Sequence, residues 1–205
     1  MRLLPSGERA VLVEVADLDE VLALAGSVRN MAGVEDVVPG ERALLVTLTS
    51  ALDLAAVRDA LADVASHPLP TAAPARTVEI PVVYDGPDLA DVAAHSGLTV
   101  AQVIDAHTAT PWRVGFGGFA PGFAYLVGGD TRLEVPRRAE PRPSVPAGAV
   151  GLAGRYSGIY PRSSPGGWQL IGYTDAVLFD VENDPPALLQ PGMTVRFVAH
   201  GAVRD

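Results

Sequence analysis

Cysteine is absent from this chain of 205 residues, which excludes disulfides, thiol nucleophiles and thiolate metal sites. Lysine is absent too, so all 15 basic residues are arginine. That removes Walker A phosphate binding, Schiff-base chemistry and a biotinyl-lysine carrier. No apolar run approaches the roughly 18 residues of a membrane span. The start carries no signal-peptide pattern, and together these predict a cytoplasmic protein with no membrane partner. A net charge of −9 argues against nucleic acid as a partner. Aromatics are only 6% of the chain, and most of them crowd into two stretches.

What is present fits a folded globular protein, with 48% hydrophobic residues and enough chain for one large domain or two small ones. The first aromatic stretch, Pro111 to Leu126, reads PWRVGFGGFAPGFAYL. Its glycines and prolines exclude a helix interior or one plain strand. Pro121-Gly122 predicts a turn. Phe116, Phe119, Phe123 and Tyr125 surround a backbone left bare by Gly115, Gly117, Gly118 and Gly122. Two readings stand side by side: a groove that lets a ligand approach backbone N–H groups, or a tight hairpin with glycines at bulges and aromatics in the core. The second stretch, Ile159 to Tyr173, reads IYPRSSPGGWQLIGY. Ser164-Pro165-Gly166-Gly167 predicts a tight turn, with Trp168 as an anchor. Neither Ser163 nor Ser164 has His/Asp framing or a G-x-S-x-G elbow, so neither is expected to be a nucleophile.

Charge is uneven. Between Arg132 and Arg162 there are six arginines (132, 137, 138, 142, 155 and 162) against Glu134 and Glu140, a local +4. Guanidinium forks suit a carboxylate or phosphate ligand. Pairing with acids of the same chain or of a partner is the alternative.

Along the chain, residues 9–15, 34–38 and 43–49 read as strands. Asp17 with Glu20 predicts a capped helix to about Met31, and a second helix spans about 51–65. With Val78–Val83 as a last strand, that order matches a ferredoxin-like α+β domain over 1–76. The Pro-rich connector 66–76, which contains His67, is the expected boundary. Asp88 starts a short helix closed by Gly97. Thr99 and Gln102 box the next helix, and His107 falls near its end. A helix C-terminus favours a protonated imidazole, so capping is the plain expectation there, with proton transfer the alternative. Beyond Pro111, short apolar runs between Gly and Pro turns predict a β-barrel or sandwich over 77–205. The expected strands are 113–116, 123–126, 150–153, 158–160, 168–173, 177–179 and 194–198.

Taken in order, GFGGFAPGFAYL, RLEVPRRAEPRPSVPAGAVGLAG, GIYPRSSPGGWQLIGYT and PALLQPGMTVRF closely resemble the allophanate hydrolase subunit 1 or KipI family, also described as the B subunit of 5-oxoprolinase. The resemblance covers nearly the whole chain. It implies a small α+β domain followed by a cyclophilin-like barrel, related to the carboxyltransferase part of urea carboxylase. It implies two partners. One is a homologous allophanate hydrolase subunit 2, the C subunit of 5-oxoprolinase, and the other is a LamB/YcsF-type A subunit. The assembled enzyme would use ATP with Mg to open 5-oxoproline, a small anionic lactam, to glutamate. This chain alone is expected to be inactive, to hold no cofactor and to contain no metal site.

The family pattern carries over to Gly118, Phe119, Pro121, Gly122, Phe123, Tyr125, Arg137, Arg142, Tyr160, Ser164, Gly166, Gly167 and Trp168 as substrate-binding candidates. It carries over to His107 as a catalytic candidate. Departures fall at Tyr173, where the family commonly has arginine, at Met193 (aspartate) and at Ala149 (serine). Two other functions remain open by resemblance: an inhibitor of a sensor histidine kinase, and a carboxyltransferase component acting on a urea-like amide. Allophanate hydrolysis itself is disfavoured, because a Ser-Ser-Lys triad needs a lysine.

Overall fold

The computed structural model describes residues 1–51, 54–66 and 76–201. They belong to two compact units, residues 1–74 and 75–205. His67 and most of the Pro-rich connector lie outside the described residues.

The first unit contains β1 (Arg2–Pro5), β2 (Ala10–Glu14), α1 (Leu18–Val28), β3 (Val34–Pro39), β4 (Ala43–Leu48) and α2 (Leu54–Ser66). Its sheet is antiparallel with the order β1-β2-β4-β3. Alternation puts Val11, Val13, Leu44, Val46 and Leu48 on the buried face. Helix α1 covers that kind of face with Leu18, Val21, Leu24, Ala25 and Val28, spaced three and four apart. Its N-cap is Asp17, whose carboxylate accepts from the Glu20 N–H at 3.0 Å.

The last strand expected for this unit is elsewhere. Thr77–Val82, β5, belongs to the second unit and runs parallel to its final strand. Its inward residues Ile80 and Val82 are buried in that unit's core. The sheet edge beside β2 is taken by Arg2–Pro5, a strand too short and too near a proline to stand out in the sequence.

The second unit continues with α3 (Leu89–Ser96), α4 (Val100–Ala109), β6 (Trp112–Gly117), β7 (Ala124–Val127) and a 3-10 turn at Thr131–Leu133. Then follow β8 (Arg142–Val145), β9 (Ala149–Ala153), β10 (Tyr156–Ile159), β11 (Ser164–Gly166), β12 (Gln169–Tyr173) and β13 (Thr194–Ala199). Seven strands form one sheet in the order β12-β9-β10-β7-β6-β13-β5. Beyond β5, Val83 meets Tyr173 of β12 in an antiparallel bridge, with reciprocal N–H to carbonyl bonds of 2.8 and 2.9 Å. The two edge strands therefore meet, and the sheet is a nearly closed barrel. The seam continues through the Gly86 and Asp88 N–H groups, which donate to the Ile171 and Leu170 carbonyls.

Period-two alternation divides the wall into two faces. Val114, Leu126, Val150, Leu152, Ile159, Ile171, Val195 and Phe197 join the main core with Val92, Val103 and Ile104 of the helices. Phe123, Ala149, Ala153 and Leu170 point the other way, into a second cluster with Val145, Tyr160 and Trp168. Val145 belongs to a two-stranded ribbon, β8 with β11. Ser164–Gly166 is thus a strand and not the tight turn expected there. Proline fits at such short ribbon strands because it withholds only a ladder donor. Val177–Phe179 is likewise not a strand: Phe179 makes a single bridge to Ala187. Among the described residues, no helix is long and apolar enough to cross a membrane.

Candidate functional site

Asp88 organises the site. It precedes α3 but makes no capping bond with its side chain. Its carboxylate instead turns under the ribbon. Oδ1 accepts from Arg138 Nη1 at 2.8 Å and from Arg142 Nη2 at 2.7 Å, and Oδ2 accepts from the Leu170 N–H at 2.7 Å. Asp88 is 1% exposed. Burial alone would raise its carboxyl pKa. The Arg142 hydrogen bond, the Leu170 N–H and the charge of both guanidiniums outweigh burial and hold it below the usual carboxylate range. One carboxylate thus faces two guanidiniums, and Arg138 Nε and Arg142 Nη1 are buried without a hydrogen-bond partner among the described residues.

The ribbon places Arg142 directly across from Gly166, and Val145 across from Ser164. A Cβ on Gly166 would collide with the Tyr160 hydroxyl, so glycine lets that ring lie against the ribbon. Burial raises the Tyr160 pKa. A bond from the Trp168 backbone N–H and the nearby charges of Arg137 and Arg142 oppose the rise. The Arg138 N–H donates to the Gly167 carbonyl at 2.8 Å, fastening the 137–142 segment to the Gly166-Gly167 bend.

Next to this lies the Pro121-Gly122 turn. The Phe123 N–H donates to the Ala120 carbonyl at 2.9 Å, and Gly122 has φ +83°, the value that position of a type II turn requires. A Cβ there would also run into Phe179 and the Leu178 carbonyl. Phe119 adopts φ +66°, uncommon for a non-glycine residue, and is 58% exposed. It meets Phe123 and Tyr160 edge-on at 5.2 and 6.0 Å. Phe123 and Tyr125 both contact Trp168 in T-shaped pairs, and Gly118 packs against Tyr125. Strands β6 and β7 do form the bulged hairpin that was one of the two readings, yet it presents this aromatic edge beside the arginines.

The fold therefore gathers Phe119, Phe123, Tyr125, Arg142, Tyr160, Gly166, Gly167 and Trp168. Pro121 and Gly122 shape their turn, and Arg137 lies close enough to influence Tyr160. His107 is not among them. It sits at 0% exposure in the barrel core, in the last turn of α4. Its Nδ1 bonds the Tyr84 hydroxyl at 2.7 Å, its Nε2 bonds Ser157 Oγ at 2.9 Å, and the ring stacks on Phe197 at 4.2 Å. Burial pulls its pKa down to about 3, so the imidazole is neutral. The protonated helix-capping imidazole expected from the sequence is not what forms, because desolvation outweighs the helix end.

Sequence reasoning passed over Asp88 and Gln169, and counted Arg138 only within the arginine cluster, for which pairing with an acid of the same chain was one of the two readings. The signal for Asp88 was the +4 of the arginine segment, since buried guanidiniums demand a carboxylate. Two of the three departures from the family pattern are packed positions: Ala149 lies in the second cluster, and Met193 against the main core. Tyr173 is at the barrel seam, its hydroxyl bonded to Asp175.

Cavities are found among the described residues of this unit. One of about 190 Å³ lies by Trp112, Gly129 and Glu134. Another, an open groove of about 440 Å³, runs along Arg137, Arg138 and Gln169.

Comparison with known proteins gives this geometry a context. Residues 1–189 match the family described as carboxyltransferase domain, subdomain C and D. The chain belongs to that family. It is 44% identical to the 5-oxoprolinase B subunit of Escherichia coli O157:H7, over 94% of this chain and 93% of that protein. It is 52% identical to the 5-oxoprolinase B subunit of Bacillus subtilis, over 60% of this chain and 52% of that one. Among solved structures, a conserved uncharacterized protein from Pyrococcus horikoshii matches at 34% identity and a TM-score of 0.59, covering 97% of both chains. The urea amidolyase of Kluyveromyces lactis matches at a TM-score of 0.71, over 97% of this chain and 15% of that much longer one. Its 19% identity speaks for the fold alone.

Proposed function

We propose that this chain is the B subunit of an ATP-dependent 5-oxoprolinase, which opens the lactam of 5-oxoproline to give glutamate. The similarity to the B subunit of Escherichia coli O157:H7, sustained over nearly the full length of both chains, carries this reading. The site supports it physically. Arg138 and Arg142 exceed the charge of Asp88 by one, so the cluster is net positive, which suits an anionic lactam nearby. The partners are a homologous C subunit and a LamB/YcsF-type A subunit. ATP with Mg is handled by the assembly, since this chain has neither a lysine nor a phosphate loop. His107, with both nitrogens engaged in the core, holds α4 to the barrel and takes no part in proton transfer. The enzyme works in the cytoplasm.

The second unit is a cyclophilin-like barrel. The first is a ferredoxin-like layer whose final strand is replaced at the sheet edge by Arg2–Pro5, which the order β-α-β-β-α from Ala10 to Ser66 supports.

The test is reconstitution. This chain is purified with its two partner proteins, and ATP hydrolysis is followed with 5-oxoproline present, each protein being omitted in turn. The expected result is turnover that disappears when this chain is left out, and none from this chain alone. A stable complex that ignores 5-oxoproline would transfer the reading to another amide or carboxyl-transfer substrate. Failure to form any complex would favour a regulatory binding protein.

A further inference from the structure

The open groove beside the Asp88 cluster is lined by side chains of both charge signs, and one lining residue, Gln169, carries an unmet acceptor. One wall is α3, where Asp91 and His95 stand one turn apart. The His95 Nδ1 bonds the Asp91 carbonyl at 2.7 Å, which leaves Nε2 for another partner. Arg137, Arg138 and Glu140 line the groove as well, and so does Gln169, the first residue of β12.

Gln169 is 4% exposed. Its Nε2 donates to the Pro136 carbonyl at 3.2 Å. A carbonyl only accepts, so this bond fixes which end of the amide is nitrogen. The other end, Oε1, is buried and has no hydrogen-bond partner among the described residues. A buried acceptor left in this state is destabilising, so the position calls for an N–H. Arg138 Nε is buried without a partner among the described residues as well. Arg137 is exposed and forms no ion pair among the described residues.

We infer that this groove is the subsite for an amino-acid-like ligand, with Gln169 Oε1 accepting its ring N–H and Arg137 binding its carboxylate. A ligand that carries both an N–H and a carboxylate offers a partner to each of these two lining residues. Asp91 and Glu140 oppose a polyanion such as a phosphate ester, and they accommodate the ammonium that appears when a lactam opens to an amino acid. The inference rests on the B-subunit reading for the identity of the ligand, 5-oxoproline. It goes further by naming the groove and the residues that select for it. Arg137 and Gln169 are binding residues here, and no proton or covalent step is assigned to them.

The experiment uses the reconstituted three-protein complex and compares wild type with Arg137→Ala, Gln169→Leu and a control, Arg132→Ala. The control removes a surface cation that pairs with Asp130 and does not line the groove. The expected result is a KM for 5-oxoproline raised about tenfold or more by each groove variant, with kcat little changed and the control unaffected. A second readout is inhibition by 2-pyrrolidinone, the same lactam without the carboxylate. Arg137→Ala should weaken 5-oxoproline but leave 2-pyrrolidinone unchanged, whereas Gln169→Leu should weaken both. A fold defect would not separate the two ligands in this way.

An active complex in which both groove variants keep the wild-type KM would overturn the subsite and leave the B-subunit reading standing. A wild-type complex with no response to 5-oxoproline would overturn the B-subunit reading instead. The groove is then scored on the full-length chain by NMR titration with 5-oxoproline. Shifts of the Gln169 side-chain amide that Arg137→Ala abolishes would support the subsite, and no shift would sink it.

Discussion

Asp88 and His107 are both buried polar residues, and the chain uses them in opposite ways. Asp88 is buried as an ion because two guanidiniums and a backbone N–H surround it. His107 is buried as a neutral ring because, among the described residues, its ring meets two hydroxyls and aromatic faces and no charged group. Removing the charge at Asp88 leaves the guanidiniums facing a neutral amide. Asp88→Asn is expected to lose about 3 kcal/mol in urea unfolding, the range found when one member of a buried pair is removed. Because the Asp88 pKa is lowered on folding, its contribution is present above the ordinary carboxylate pKa and fades as pH falls below about 4. His107 acts at milder pH. Its pKa is near 6.5 in the unfolded chain and about 3 when folded, so the unfolded state gains a proton first. Stability is then full above pH 6.5 and declines as pH falls toward 3, by up to about 1.4 kcal/mol per pH unit. Replacing His107 with Gln should flatten the pH dependence of the urea midpoint between pH 6.5 and 5. A slope that survives the substitution would assign the titration to another group.

At the scale of elements, legibility followed period and punctuation. Helix α1 and helix α4 stand where their caps put them: Thr99 accepts from the Gln102 N–H, and the Gln102 side chain accepts from the Thr99 N–H in return. Gly97 ends α3 with φ +68°. Strands β3, β4, β7 and β9 lie within a residue or two of their apolar runs. What could not be read were elements that depend on a distant partner. Ribbon strands β8 and β11 contain Pro143 and Pro165 and have no apolar run, so only their pairing with each other defines them. Strand β5 was legible as a strand, but its own residues do not say which sheet it joins. The seam between β5 and β12 was invisible for the same reason, and it makes a sharp prediction. A Cβ on Gly86 would fall on the Leu170 carbonyl and the Ile171 and Gly172 backbone. Because those atoms are main chain, no side chain can swing away. Gly86→Ala should therefore open the seam and cost about 2–3 kcal/mol in the urea midpoint, the scale of core overpacking. A cost below about 0.5 kcal/mol, typical of a surface change, would show that the barrel does not depend on this closure.

For the molecule as a whole, the order of motifs along the chain disclosed the family, while the two-unit plan rests on where β5 pairs. All seven strands of the barrel sheet lie between Thr77 and Ala199. So do both tryptophans, Trp112 in the main core and Trp168 in the second cluster. Tryptophan fluorescence therefore reports on the barrel alone. A fragment of residues 76–205 keeps β5, hence the parallel partner of β13 and the Val83 bridge that joins the sheet's edges. At about 130 residues it also has the length of an ordinary independent domain. Its fluorescence-detected urea midpoint is expected to match that of the full chain. Starting the fragment at residue 84 instead removes β5 and Val83 together, which exposes the edge of β13 and leaves Tyr173 without its bridge. That shorter fragment should show no cooperative transition. If the 76–205 fragment fails in the same way, the barrel needs the first 75 residues to fold, and the two units are one cooperative structure.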